Sequence, residues 1–160
     1  MDRVEEARRT LLALYGGSHS PLEESDPDFA AIKQRLVYGE LYAQEALDPV
    51  MRELILLAVA TTNQTMSEVK LHTCAALRSG ASPEAVKEAV YHCAPYIGLG
   101  KAEAAAAAVN EVLRTQGISL PLASQRTVSE EDRLTAGIAA QKAIFGPHID
   151  EMRAAAPNDK

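Results

Sequence analysis

The sequence contains no tryptophan, and only 4% of its 160 residues are aromatic, although 47% are hydrophobic. Alanine and leucine supply most of the apolar residues, which indicates close helical packing of small side chains. No run of alternating β-branched residues predicts a sheet, and the helical period accounts for nearly all of the chain. We therefore expect a single all-α domain over residues 1–160, long enough to bury a substantial core.

Positive charge is also scarce, because 16 Lys and Arg stand against 22 Asp and Glu, a formal net charge of −6. Without a basic stretch, neither a nucleic acid nor an anionic membrane is expected as a partner. The longest strongly apolar run, from Leu54 to Ala60, is too short to span a bilayer. The first residues carry both charges and lack the apolar segment of a secretion signal, which predicts a cytoplasmic protein.

Cysteine is limited to Cys74 and Cys93, too few for a disulfide framework, so a reducing compartment is expected. On a helix Cys74 is rotated by roughly 160° from His72, so that histidine cannot activate its thiol. Cys93 has the apolar setting of a buried small hydrophobe. The histidines are His19, His72, His92 and His148. They lack the spacing of a metal set, and no glycine-rich loop follows a strand, so we expect neither a metal nor an organic cofactor.

Capping and breaking residues divide the chain into predicted helices. These cover about residues 4–15, 29–44, 49–61, 65–80, 101–115 and 129–146, and a fifth helix in chain order opens at residues 82–84 and contains residues 91–96. Asp48 and Pro49 form a strong start signal, a capping side chain followed by a proline at the first helical position. Pro95 lacks a backbone donor and should kink or end the fifth helix. Ser129 to Asp132 have the pattern of a capped start for the last helix.

Three ionisable residues have the spacing of a proton-transfer site. Glu68 and His72 are four residues apart, so they share one face of the fourth helix, among mostly small or apolar neighbours. Glu53 shares its face of the third helix with apolar residues, and a buried carboxylate requires a partner. We expect that partner to be His72, directly or through water. Arg52 lies about 100° around the helix and cannot be assumed to be the partner.

Structural roles are also open for each of these residues. Thr65 and Glu68 have the spacing of a capping box, in which Glu68 would only close the helix start. His72 could be a core histidine bonded to a carbonyl group. Glu53 could form an ion pair with a residue of any neighbouring helix.

A second set of residues could contact a ligand. His92 and Tyr96 lie beside the predicted helix break, where freed backbone groups often border a pocket. A lone histidine next to a tyrosine can equally be structural. Tyr38 and Glu40 could form an aromatic rim with a carboxylate, or Gly39 could simply be a packing notch.

The chain resembles the carboxymuconolactone decarboxylase family, within the alkyl hydroperoxidase D-like superfamily. The resemblance covers about residues 29–113. It is carried by Tyr38-Gly-Glu-Leu-Tyr42, Leu47-Asp-Pro-Val-Met-Arg-Glu-Leu-Ile-Leu-Leu-Ala58, Glu68-Val-Lys-Leu-His72, Ala75-Ala-Leu-Arg-Ser-Gly-Ala-Ser-Pro-Glu84 and Ala94-Pro-Tyr-Ile-Gly98. It implies an alkyl hydroperoxidase D-like helical bundle of about six to eight helices, with residues 129–146 as an extension helix. It also implies a homo-oligomer, a trimer or a hexamer, with the site at helix junctions and subunit borders.

The redox members of that superfamily place a Cys-x-x-Cys pair ahead of the helix histidine. Counting back from His72, those positions are Thr65 and Glu68 in this chain. The resemblance therefore argues against thiol peroxidase and disulfide reductase activity. Glu53 falls where that branch keeps its proton-relay glutamate.

In the decarboxylase branch the substrate is a lactone whose ring carboxylate adjoins an unsaturated system. Loss of CO2 leaves electrons that spread into the lactone carbonyl, so no cofactor is required. The resemblance implies that His72 donates the proton and that Glu68 and Glu53 orient it. The predicted substrate contacts are Arg52, His92, Tyr96 and Tyr38.

We therefore predict a cofactor-free lyase that acts on a small anionic lactone such as 4-carboxymuconolactone, in the degradation of aromatic compounds. The alternatives are an isomerase or cyclase on another unsaturated acid, and a non-catalytic oligomeric binding protein of the same fold.

Overall fold

The computed structural model describes residues 2–17 and 20–156, so His19 lies outside the described residues. Within those ranges every regular element is a helix, which confirms the all-α class. The α-helices are α1 Arg3–Tyr15, α2 Pro27–Leu36, α3 Pro49–Asn63, α4 Met66–Arg78, α5 Pro83–Tyr91, α6 Ala94–Ile97, α7 Leu99–Thr115, α8 Arg133–Phe145 and α9 His148–Ala155. Of the helices in these ranges, none has the length and apolarity needed to cross a bilayer.

The chain divides into two compact units, the first ending at Leu122 and the second beginning at Ala123. The core of the first unit lies between α3, α4, α5 and α7. Its fully buried side chains include Leu57, Val69, Val86, Val90, Val109 and Leu113. These are aliphatic and mostly small, as the scarcity of aromatic residues predicts.

The predicted second helix, residues 29–44, changes its hydrogen bonding twice. After α2 the chain continues as a π-helix, Val37–Leu41, and then as a 3-10 helix, Tyr42–Gln44. Gly39 explains why this segment packs so closely on α1, because a Cβ atom there would lie 2.1 Å from the carbonyl oxygen of Arg3. The packing-notch interpretation of Gly39 is therefore confirmed.

Local signals place the start of α3 correctly. The Asp48 side chain accepts hydrogen bonds from the amides of Val50 and Met51, at 3.0 and 3.1 Å. Pro49 is the first helical residue. This cap satisfies backbone donors that have no partner inside the helix, and it fixes where Arg52 and Glu53 sit in the first turns.

The fifth predicted helix ends before Pro95, as expected. Helix α5 finishes at Tyr91, and Pro95 is the second residue of the short α6. A proline there needs no backbone donor, since the first amides of a helix have no intrahelical acceptor.

The second unit differs from the prediction at its start and its end. One oxygen of Asp132 accepts hydrogen bonds from the amide and the hydroxyl of Ser129, at 2.6 and 2.9 Å. This closes a turn rather than a helix, so α8 begins at Arg133, a turn later than predicted. Helix α9 was not predicted; its Ile149 is buried.

Candidate active site

Glu53 is the centre of a buried polar cluster on α3. Glu53 is 0% exposed, and Leu57 and Ala60 on the same face of the helix are also buried. The Nδ1 atom of His72 lies 2.9 Å from Oε2 of Glu53, which joins α3 to α4. The sequence-based expectation of an inward carboxylate bonded to His72 is therefore confirmed.

Arg52 is the second partner of Glu53. Its Nε donates to Oε1 at 3.1 Å, so each carboxylate oxygen accepts from a different side chain. The guanidinium also stacks on Tyr42, with Cζ 3.8 Å from the ring centroid. The sequence left open whether Arg52 is a partner of Glu53. It is one, because an angle of about 100° between adjacent Cβ directions does not limit a side chain as long as arginine.

Glu68 lies on the opposite side of the imidazole. Its Oε2 is 3.6 Å from Nε2 of His72, and its Oε1 is 3.6 Å from Nζ of Lys33 on α2. These distances are longer than hydrogen bonds, so the interaction is electrostatic. The Glu68 side chain is half-buried, which connects the buried cluster to solvent.

The capping-box interpretation of Glu68 is wrong. The amide of Thr65 donates to the carbonyl of Ala60 at 3.1 Å, so it is not available to Glu68. The Thr65 side chain makes no capping bond either. The alternative in which His72 bonds to a carbonyl group is wrong for Nδ1, which contacts the carboxylate of Glu53 instead.

The contact with Glu53 assigns a role to each nitrogen of His72. A carboxylate at 2.9 Å requires Nδ1 to carry a hydrogen, which it donates to Oε2. Nε2 is then the nitrogen free to gain or release a proton. A carboxylate that fixes the tautomer of a histidine in this way also fixes its ring orientation.

Two tyrosines of the π and 3-10 segments extend the cluster. The rings of Tyr38 and Tyr42 are in edge contact, with centroids 5.2 Å apart, and Tyr38 meets Tyr15 at 5.8 Å. Burial raises the pKa of Tyr38 above its usual value, and the negative charges of Glu68 and Glu53 raise it further, while Tyr15 lowers it. Burial likewise raises the pKa of Tyr42, assisted by Glu53. Both phenols therefore stay protonated at neutral pH.

Sequence reasoning did not find Lys33 or Tyr42. Tyr42 had a detectable signal, because it follows Tyr38 by four residues and would share its helix face. Lys33 had none, since it reaches Glu68 only through the packing of the folded chain.

His92 and Tyr96 are placed at a different surface. They line a groove of about 760 Å³ together with Ile55, Ala58 and Cys93, and His72 is not part of its lining. Tyr96 is 84% exposed. Of the predicted substrate contacts, a single chain therefore brings Tyr38 and Arg52 to the Glu53 cluster, but not His92 and Tyr96.

The cysteines lack the surroundings of reactive thiols. Burial raises the pKa of Cys74, although Arg78 acts in the opposite direction. Burial also raises the pKa of Cys93, whose Sγ lies 3.3 Å from the carbonyl of Ala89. Thiols in such settings remain protonated at neutral pH and are poor nucleophiles.

Comparison with known proteins identifies the family of the chain. The Carboxymuconolactone decarboxylase family model matches residues 27–111, more than half of the chain. The chain therefore belongs to the carboxymuconolactone decarboxylase family. It is also 29% identical over 98 residues to the 4-carboxymuconolactone decarboxylase of Acinetobacter baylyi, an alignment that covers 61% of this chain and 73% of that protein. Glu53, Glu68 and His72 all lie within the range matched by the family.

Proposed function

We propose that the protein is a cofactor-free lyase that decarboxylates a small anionic lactone such as 4-carboxymuconolactone. The observation that carries the proposal is the contact between Nδ1 of His72 and the fully buried Glu53 at 2.9 Å. It leaves Nε2 as an oriented proton donor within a family domain. The substrate class is suggested by the activity for which the Acinetobacter baylyi relative is named.

The proposed reaction breaks the bond between the ring carbon and its carboxylate. The electron pair moves through the adjacent double bond into the lactone carbonyl, and CO2 leaves. The resulting enolate-like anion takes a proton on carbon from Nε2 of His72. One proton is consumed for each CO2 released, so His72 must be protonated again from solvent. Glu68, half-buried and 3.6 Å from Nε2, would relay that proton.

The enzyme's own charges would assist in two ways. Glu53, anchored by Arg52, would hold the His72 ring with Nε2 directed away from it, toward the substrate. Lys33, beside Glu68, would attract an anionic substrate to the Nε2 side of the ring. Tyr38 would provide a protonated hydroxyl near the same carboxylates.

The four predicted substrate contacts have different roles in this proposal. Arg52 acts in this proposal mainly by holding Glu53, and Tyr38 remains a substrate contact. Contacts from His92 and Tyr96 stay predictions, since in one chain they line the separate groove.

The direct test supplies 4-carboxymuconolactone and measures both the loss of ultraviolet absorbance and the release of CO2. In D2O the product should carry one carbon-bound deuterium for each CO2 formed. Absorbance loss without CO2 would instead indicate an isomerase or cyclase. A folded protein that binds the lactone but never converts it would be a binding protein, and the proposal would be wrong.

A further inference from the structure

A cavity of about 740 Å³ lies between α1, residues 42–49 and the facing ends of α3 and α4. This volume is in the range of small-molecule sites. Three arginines line the cavity: Arg9, Arg52 and Arg78. Its lining does not include Glu53, Glu68 or His72, so it is separate from the Nε2 side of the imidazole.

Arg52 is held in place with its terminal donors available. Its Nε is fixed on Glu53, and its planar group lies on Tyr42. Among the described residues, none bonds its two Nη groups, and its side chain is only 18% exposed. A rigid guanidinium with free paired donors matches the geometry of a carboxylate.

Arg78 presents a second guanidinium at the end of α4. No acidic side chain in the described part of the chain pairs with it. It packs over the backbone of Gly16, where a Cβ atom would lie 3.2 Å from its Nη1. Its charge is therefore not neutralised by a neighbour in residues 2–17 or 20–156.

The cavity also contains three carboxylates, but two of them are already occupied. Glu6 accepts from Arg9 at 2.6 Å. Asp48 caps α3 through two backbone amides. Glu45 is exposed and lies near Arg9, whose pKa its charge helps to raise after the larger effect of Glu6. Arg78 is therefore the cation of the lining that has no acidic partner among the described residues, and Arg52 contributes its unbonded Nη groups.

We propose that this cavity binds a small carboxylate anion, with Arg52 as the bidentate contact and Arg78 as the second cation. This site goes beyond the proposed function, because Arg52 holds Oε1 of Glu53 whereas His72 holds Oε2. An anion on Arg52 would thus lie on the other side of Glu53 from the proton donor.

Isothermal titration with succinate, at constant ionic strength, tests the site directly. Arg78→Gln should weaken succinate binding at least tenfold, since it removes a charge-assisted contact. Arg52→Lys keeps the charge but loses the planar fork, and should weaken binding to a similar extent. Arg114→Gln is the matched control, since Arg114 is exposed at the end of α7, outside the cavity; its affinity should equal that of the wild type.

Equal succinate affinity in Arg78→Gln and Arg114→Gln would overturn the proposal, as would no measurable binding to the wild type. Tighter binding of sulfate than of succinate would overturn the carboxylate assignment. Thermal unfolding checks that each variant folds. If Arg52→Lys does not fold, the succinate affinity of Arg78→Gln alone decides the test. Succinate binding without lactone decarboxylation would refute only the proposed function, and decarboxylation without succinate binding would refute only this site.

Discussion

At the scale of single residues, Glu53 joins the side chains of Arg52 and His72 through its two oxygens. A buried carboxylate without partners costs several kcal/mol, because its lost hydration is not replaced. Here Arg52 and His72 replace that hydration from different positions in the fold. The same arrangement that makes the charge tolerable also orients the imidazole, so stability and chemistry are linked at one side chain.

Two substitutions of His72 distinguish the roles of its two ring nitrogens. In His72→Asn the side-chain amide can still donate to Glu53, but nothing occupies the position of Nε2. We expect decarboxylation to fall by about 10²–10⁴, the usual contribution of a general acid, with little change in the unfolding midpoint. His72→Gln should lose similar activity and also stability, because its amide lies nearer the Nε2 position. CO2 release and thermal unfolding measure the two effects, and activity of His72→Asn within tenfold of wild type would exclude His72 as the donor.

Replacing the two glutamates should affect stability differently. Glu53→Gln removes a fully buried charge with two partners, so we expect a loss of about 1–3 kcal/mol in the free energy of unfolding. Activity should fall about 10–100-fold, as for other groups that orient a functional histidine. Glu68→Gln, at a half-buried position, should cost less than about 1 kcal/mol. Denaturant titration compares them, and equal losses would contradict the central position of Glu53.

The cysteines predict a dependence on pH. Burial raises the pKa of Cys74 and Cys93 in the folded protein, so the folded state holds these protons at pH values where the unfolded chain releases them. This contribution to stability is present below the unfolded thiol pKa and is lost as pH rises through the folded value. Alkylation of the native protein by iodoacetamide should be slow at pH 7 and accelerate above pH 9 or so. Fast alkylation at pH 7, or peroxide consumption lost in Cys74→Ser or Cys93→Ser, would contradict the assignment of both thiols as unreactive.

At the scale of helices, sequence signals succeed where they act locally. The start of α3 follows from Asp48 and Pro49, which are neighbours in the chain. The π-helix was missed because no local sequence signal marks it; the close contact of its Gly39 with the carbonyl of Arg3 forms only in the folded chain. The start of α8 was misplaced because Ser129 and Asp132 bond to each other in a turn that resembles a cap in sequence.

The prediction of the site, like that of the helices, succeeds where the sequence signal is local and fails where it depends on folding. Helical spacing placed Glu68 and His72 on one face, and the apolar neighbours of Glu53 predicted its burial. The contribution of Lys33 depends on how α2 packs against α4, which no spacing encodes. The contact of Arg52 with Glu53 was left open because backbone direction was considered without side-chain reach.

The notch at Gly39 can be tested against a second helical glycine. Gly39→Ala places a methyl group 2.1 Å from a backbone oxygen, which must move, so we expect a loss of about 1–3 kcal/mol. Gly100→Ala is the control, because nothing lies within 4 Å of the added atom. It should be neutral or stabilising by up to about 1 kcal/mol, as alanine favours a helix. Equal midpoints for both variants in urea would show that the segment is not tightly packed.

At the scale of the whole molecule, α3 exposes an apolar stripe. Met51, Ile55 and Val59 are four residues apart and 52%, 44% and 50% exposed. Contiguous apolar surface of this kind commonly marks an interface. The homo-oligomer expected from the family resemblance stays a prediction, and this stripe is a candidate for its interface.

Ile55→Glu should therefore shift the sedimentation of the protein toward the monomer. A charge in a buried interface lacks hydration, which disfavours association. Val4→Glu is a suitable control, because Val4 is also about half exposed but lies on α1. A wild-type protein that sediments as a monomer at all concentrations would contradict the expected homo-oligomer.

The π-helix at Val37–Leu41 has a consequence for how this chain can change over evolution. A π-turn holds one residue more than an α-turn. Losing a single residue there would restore ordinary α-helical winding while the residues on either side keep their faces, whereas a loss within α2 itself would rotate the preceding residues by about 100°. Lys33 and Tyr42 would then keep the same neighbours, so a one-residue deletion within these five positions should be tolerated as long as a glycine still faces the carbonyl of Arg3, whereas a one-residue deletion in α2 should not.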